Sequence, residues 1–209
     1  MPSPTEATAA REDVRFESGG EPCAGWLFRP AQAAAEVPCV VLAQVPHTSG
    51  FATLGELGPS RMAKLTGHAL IDGVGGLLGR SPHYIPTVGP PGSIAAMTGD
   101  DAARAYPAMY PDGFEWHNEV AARIMLSYGL YSPGGDAAKV NCPILVQVGT
   151  EDHITPPAPA IEASERAPRG ELLTYPLSHF EIYRGEPFER AIADQLEFLE
   201  RHVSGGGPV

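Results

Sequence analysis

Apolar runs and helical periodicities alternate along the chain in an order that predicts an α/β architecture. Val14–Glu17 and Ala24–Phe28 read as short strands joined by the turn-forming Ser18-Gly19-Gly20-Glu21-Pro22. Cys39-Val40-Val41-Leu42-Ala43-Gln44-Val45 is a near-continuous apolar run stopped by Pro46, the pattern of a strand buried on both faces of a parallel sheet. Ile144–Gly149 repeats it, and Glu171–Tyr175 is the last strand. Helical spacing marks Arg61–Leu78 (Met62, Leu65, Ala69, Val74, Leu77) and Glu186–His202 (Phe188, Ile192, Leu196, Leu199, with Val203 continuing the stripe). Asn118–Tyr128 is predicted as a helix, as is a segment from about Thr155, with Pro156 in its first turn, to Arg166.

These elements predict a core from residues 1–50 and 131–209, mostly parallel and about five strands wide. Its N-terminal hairpin is antiparallel. Residues 51–130, helices between Pro- and Gly-rich loops such as Ser81–Gly92, read as a helical cap inserted in that core. Residues 1–12 and 204–209 read as tails and 31–37 as a linker.

The 209 residues carry 43% hydrophobic and 19% charged side chains, enough to bury a core. A net charge of −11 excludes a counterion-displacing nucleic-acid surface and docking on anionic membranes. No run is long and apolar enough to span a bilayer, and the opening residues lack the pattern of a signal peptide. Cys23, Cys39 and Cys142 form neither a disulfide framework nor a metal clip, so a reducing cytoplasm is expected. Cys39 and Cys142, opening buried strands, are expected to act as small apolar groups.

Candidate chemistry sits after the last two strands, since ligands of open α/β sheets bind beyond the strands' carboxyl ends. One loop holds Asp152 and the next His179. A carboxylate beside a histidine fixes its tautomer and lets the ring act as a base. The plainer alternative is that Asp152 tidies its own turn and His179 is a solvated loop residue. His68, His83 and His117 lack metal-ligand spacing, and neither a metal nor a cofactor is called for. Glu119 and Arg123 are expected to pair with each other at i,i+4. Tyr84, Trp116 and Tyr183 are expected to pack more than to line a pocket.

Several stretches resemble α/β-hydrolases of the bacterial dienelactone-hydrolase and peptidase-like esterase type. They are Val14-Arg15-Phe16, Gly25-Trp26-Leu27-Phe28-Arg29-Pro30, Gly89-Pro90-Pro91-Gly92-Ser93 and Asn118-Glu119-Val120-Ala121-Ala122-Arg123. Cys142-Pro143-Ile144-Leu145, Asp152 with Thr155-Pro156-Pro157, and Ser178-His179-Phe180-Glu181-Ile182-Tyr183 complete the set. The resemblance implies that Asp152 and His179 are the acid and base of a catalytic triad.

The chain departs from the family in one respect. No His-Gly-x-Gly oxyanion loop follows the first buried strand, and no serine or cysteine lies in a G-x-S-x-G elbow. Val40-Val41-Leu42-Ala43 runs straight into Gln44-Val45-Pro46, which resembles the strand after the elbow. Fusing the strands on either side of the lost segment still leaves a sheet able to close. His47-Thr48-Ser49-Gly50 follows that fused strand; Ser49 or Thr48 is the candidate nucleophile facing His179, and His47 a candidate to polarise a substrate oxygen, an ordinary turn being the alternative.

Two functional readings follow. One is an enzyme using Asp152 and His179 as a general-base dyad on a small acylated or carbonyl substrate, by hydrolysis, elimination or isomerisation. The other is a non-catalytic relative that binds a ligand or partner through its cap. Thinning of the layer over the sheet predicts a homodimer.

Overall fold

The N-terminal hairpin is antiparallel, β1 (Ala10–Ser18) pairing with β2 (Glu21–Arg29) from Ala10 opposite Arg29 to Ser18 opposite Glu21. The computed structural model describes residues 39–100, 102–110 and 113–203, and the backbone alone of 10–18 and 21–29. The expected linker at 31–37, the C-terminal tail at 204–209, residues 1–9 and the Gly19-Gly20 turn lie outside the described residues. Residues 10–12 belong to β1 and not to a tail, because the ladder gives their backbone groups partners. The hairpin lies in one compact unit, Met1–Pro38, and the rest of the chain, Cys39–Val209, forms another.

In the second unit β3 (Val41–Gln44) opens the sheet and is followed by α1 (Gly50–Gly55) and α2 (Pro59–Leu77). Then come β4 (Tyr84–Ile85), β5 (Val88–Gly89), β6 (Met97–Thr98), α3 (Ala102–Ala105), β7 (Val120–Ala121) and α4 (Ile124–Tyr128). The last elements are β8 (Ile144–Gly149), α5 (Pro157–Arg166), β9 (Gly170–Tyr175) and α6 (Gly185–His202). The sheet order is β3-β8-β9, all parallel, with Val41 opposite Ile144 and Ile144 opposite Gly170. β3 is shorter than the apolar run because Val45 turns out of the extended region, at φ 38°.

Alternation along β8 assigns its two faces. Val146 and Val148 pack with Ala160 of α5, while Gln147 points to the other side and donates to the Ala191 carbonyl of α6 at 2.9 Å. That buried amide reorients α6. Gln147 also donates to Tyr175 Oη (2.8 Å) and accepts from Gln195 (2.6 Å), and Tyr175 donates to Asp194 (2.6 Å). A buried amide must be fully hydrogen-bonded, so the inward stripe is Ala191, Asp194, Gln195 and Phe198. The expected stripe is overturned in part: Leu196 is 54% exposed and Phe188 37%.

Residues 51–130 carry two short ladders besides their helices, β4 with β7 and β5 with β6. The predicted helix over Asn118–Tyr128 survives only as α4. Asn118 clamps Val88, accepting from its amide and donating to its carbonyl, both at 2.9 Å, and Asp72 takes the Arg123 amide at 2.8 Å. These bonds commit the backbone to an extended path. The expected Glu119–Arg123 pair is overturned for the same reason. Arg123 instead forks onto the buried Asp72, Nε to Oδ2 and Nη2 to Oδ1, each at 2.9 Å. That carboxyl is held far below its usual range, chiefly by this hydrogen bond, with burial opposing. Cys39 is exposed and Cys142 half-buried, so neither fills the core as expected.

Candidate active site

The loops after β8 and β9 are zipped together by backbone bonds: Thr150 N–H to Tyr175 O at 2.8 Å and Glu151 N–H to Leu177 O at 3.1 Å. Glycine is needed at position 149, where a Cβ would stand 2.6 Å from the Leu177 carbonyl. This close crossing brings Asp152 to His179, with Nδ1 and Oδ2 2.7 Å apart.

Asp152 is 3% exposed and uses both oxygens. Oδ1 accepts the amides of Ile154 and Thr155, each at 2.8 Å, which shapes the turn. Oδ2 accepts from Thr155 Oγ1 at 2.7 Å and from the imidazole. The carboxylate therefore both organises its own turn and orients the histidine. Burial pushes its pKa up, but the hydrogen bonds and charge of His179, with those of Thr155, outweigh it and hold the group below its usual value. Thr155 Oγ1 also lies 3.1 Å from His179 Nδ1 and 3.3 Å from the Val45 carbonyl, which is the alternative acceptor for its one proton.

With Nδ1 engaged, the imidazole offers Nε2. His179 lines a cavity of about 430 Å³ with Thr98, Ile154, His153 and the carboxylates of Asp100, Glu151 and Glu181. Phe180 meets the ring edge-on at 4.8 Å and packs in turn with Val88, Ala102 and Ala105. Trp116 and Tyr183 belong to that same packing, whereas Tyr84 is half exposed. The Ser178 amide donates to Glu181 Oε2 at 2.7 Å. The hydroxyl of Thr98 makes no hydrogen bond among the described residues.

The turn after β3 is built differently. Ser49 caps α1, its Oγ accepting the Ala52 amide at 3.3 Å, and the Thr48 carbonyl accepts the Gly134 amide at 3.0 Å. No hydrogen bond joins Thr48 or Ser49 to His179 among the described residues. His47 Nδ1 lies 3.4 Å from Thr53 Oγ1 and 3.2 Å from Tyr128 Oη. Its Nε2 is buried without a partner. Burial pushes this imidazole's pKa down, and the Tyr131 carbonyl pulls the other way without reaching hydrogen-bond geometry. Within residues 51–130, His68 Nδ1 and His83 Nε2 meet at 2.7 Å, while His117 is exposed. No group of three potential metal ligands occurs among the described residues, and no helix there is long and apolar enough to cross a membrane.

Thr155 and Thr98 were not singled out from the sequence. Thr155 had a usable signal, since Asp-x-x-Thr after a strand is a turn in which each side chain bonds the other's segment. Thr98 had none.

The fold has relatives among solved structures. DcsB, solved with a substrate analogue, matches with TM-score 0.58 and 20% identity over 80% of this chain and 57% of that one. The α/β hydrolase GrgF from Penicillium sp. sh18 matches with TM-score 0.54 and 20% identity over 79% and 56%. The chain is thus an α/β-hydrolase-fold protein. In sequence it is similar to the quorum-quenching protein AidA of Acinetobacter baumannii (strain MDR-ZJ06), 37% identical over 163 residues. That match takes in 78% of this chain and 54% of AidA. An uncharacterized 31.7 kDa protein from the traX-finO intergenic region of Escherichia coli is 32% identical over 76 residues, 35% of this chain and 27% of that protein. The chain spans about half the length, or less, of the curated relatives it matches. No family model matches it.

Proposed function

We propose that this chain is a hydrolase-type enzyme in which Asp152 and His179 act as a general-base dyad on a small acylated or carbonyl substrate, without a serine nucleophile. The observation that carries this is the 2.7 Å Asp152–His179 contact at the wall of a cavity that Nε2 can serve. His179 takes a proton from water as its oxygen attacks the carbonyl carbon, then returns it to the leaving group. Asp152, kept ionised, balances the imidazolium. The same base can remove a proton beside a carbonyl and drive elimination. The commitments of Ser49 to its helix cap and Thr155 to Asp152 support a water nucleophile. AidA's description as quorum-quenching favours a small diffusible substrate. We place residues 51–130 over the site as its cap.

The test is turnover of p-nitrophenyl butyrate before and after a fluorophosphonate. His179→Ala should lower turnover about 10²–10⁴-fold, the usual worth of a general base. The fluorophosphonate should leave activity intact and no serine labelled. Labelling at Ser49 with loss of activity would overturn the serine-free reading. A His179→Ala protein with unchanged turnover would overturn the base role, and an intact chain with no turnover above the uncatalysed rate would favour the non-catalytic binding reading.

A homodimer is part of the same proposal. Leu70, Ile71, Val74, Leu77 and Leu78 are 52–89% exposed along α2 and its end, an apolar surface a second copy would cover. Light scattering giving the 22.1 kDa monomer mass at micromolar concentration counts against it. The free thiols of Cys39 and Cys142 support a reducing compartment, the cytoplasm.

A further inference from the structure

We propose that Arg61 recognises an anionic group, a carboxylate, at the end of the substrate remote from the carbonyl that His179 serves. The inference rests on the reading of His179 as the base and adds the substrate's charge and orientation to it.

Arg61 sits on the first turn of α2, half-buried. Its Nη2 donates to the carbonyls of Ala95 (2.7 Å) and Ala96 (3.2 Å), which aim the guanidinium without neutralising it. Its Nε is buried with no hydrogen-bond partner, and no carboxylate pairs with it among the described residues. A desolvated guanidinium without a counterion is costly, and an orphaned buried donor calls for an explanation. Burial disfavours its charge, a cost that a bound anion would offset.

The cavities supply the path. Arg61 lines two of them, of about 270 and 490 Å³, and Thr98 lines both of these as well as the cavity of His179. His153 and Ile154 are likewise shared between the first and the His179 cavity. Leu57 and Met97 add apolar wall between the two ends. Charge fixes the direction of a ligand lying along this path. Asp100, Glu151 and Glu181 at the dyad end repel an anion, while Arg61 and, one turn on, Lys64 attract it. Glu56, exposed, lines both Arg61 cavities and weakens the attraction.

The test compares monoethyl glutarate, an anion at neutral pH, with neutral diethyl glutarate by NMR titration of the intact chain and of His179→Ala. Both proteins should bind the monoester about tenfold more tightly, the worth of one charged hydrogen bond. Arg61→Gln should erase the preference, Arg61→Lys should keep part of it, and Glu56→Gln should widen it. Raising the salt concentration should narrow it. Equal affinity for the two esters, or a preference that survives Arg61→Gln, overturns the proposal. Should Arg61→Gln fail to fold, a preference unmoved by Glu56→Gln and by salt overturns it as well. Because the readout is binding, a chain that discriminates the esters but turns neither over refutes the base reading and leaves the anion site standing.

Discussion

The loops after β8 and β9 and the turn after β3 both end strands of one sheet, at the same edge, yet they are built to different ends. The first pair turns both oxygens of Asp152 toward defined donors and holds His179 by Nδ1 at the wall of a cavity. The second spends its hydroxyl on a helix cap and buries an imidazole nitrogen with nothing to bind. A reactive group needs a committed scaffold and an uncommitted tip; of these two imidazoles, His179 is the one that a carboxylate orients at 2.7 Å and that lines a cavity. His47 has the reverse: a strained Val45 two residues before it, two loose hydroxyl contacts and a sealed tip.

The sharpest way to break this contrast is Asp152→Asn. The amide keeps the shape of the turn but removes the charge that balances a protonated His179 and presents a donor where an acceptor is needed. Turnover should fall about 10²–10⁴-fold, comparably to His179→Ala, with folding retained. Steady-state kinetics with circular dichroism checks it, and a mild effect would mean that Asp152 serves its turn alone.

Thr155→Val comes next. It removes the hydroxyl that bonds Asp152 beside His179 but keeps the backbone amide bond. About a tenfold loss in kcat with KM unchanged is expected, since the residue positions the dyad and does not touch substrate.

How much of this was legible beforehand depends on the distance over which each feature is decided. β8, β9 and α5 are set by local patterning and turn residues, and their spans follow from the sequence within two residues. The Asp152–His179 pair was legible from the resemblance, since loop position alone fits a turn-forming Asp152 and a solvated His179 as well. The register of α6 was not, because Gln147, far away in sequence, draws Asp194 and Gln195 inward against the apolar pattern. Nor was the fate of Arg123, whose partner Asp72 is 51 positions away. Arg61 is invisible for a third reason: what marks it is the absence of a counterion, which no spacing rule reports.

A subtler contrast concerns pH. Burial depresses the pKa of His47, so the folded chain holds this ring neutral while the unfolded chain protonates it in the ordinary imidazole range of about 6.5. The unfolded state then binds more protons, and His47 contributes stability that is present above that range and lost as pH falls through it. Denaturant unfolding at pH 7.5 and pH 5 should show wild type losing more stability than His47→Phe. Equal losses would place another group in charge of the acid side.

The smallest effect is the most telling about the turn after β3. Ser49→Ala deletes the hydroxyl that caps α1 and nothing else that the structure gives it. A cap of this kind is worth about 1 kcal/mol, and this one closes a helix of only six residues, so the loss should fall at or below that figure in urea unfolding. Turnover per folded molecule should not change. The helix cap and the nucleophile are competing uses of one oxygen: as a cap it accepts the Ala52 amide and lies against the backbone, and as a nucleophile it must be free to lose its proton to His179. A variant that loses activity while keeping its stability would show that the chain rebuilt its nucleophile here, erasing the difference between the two regions.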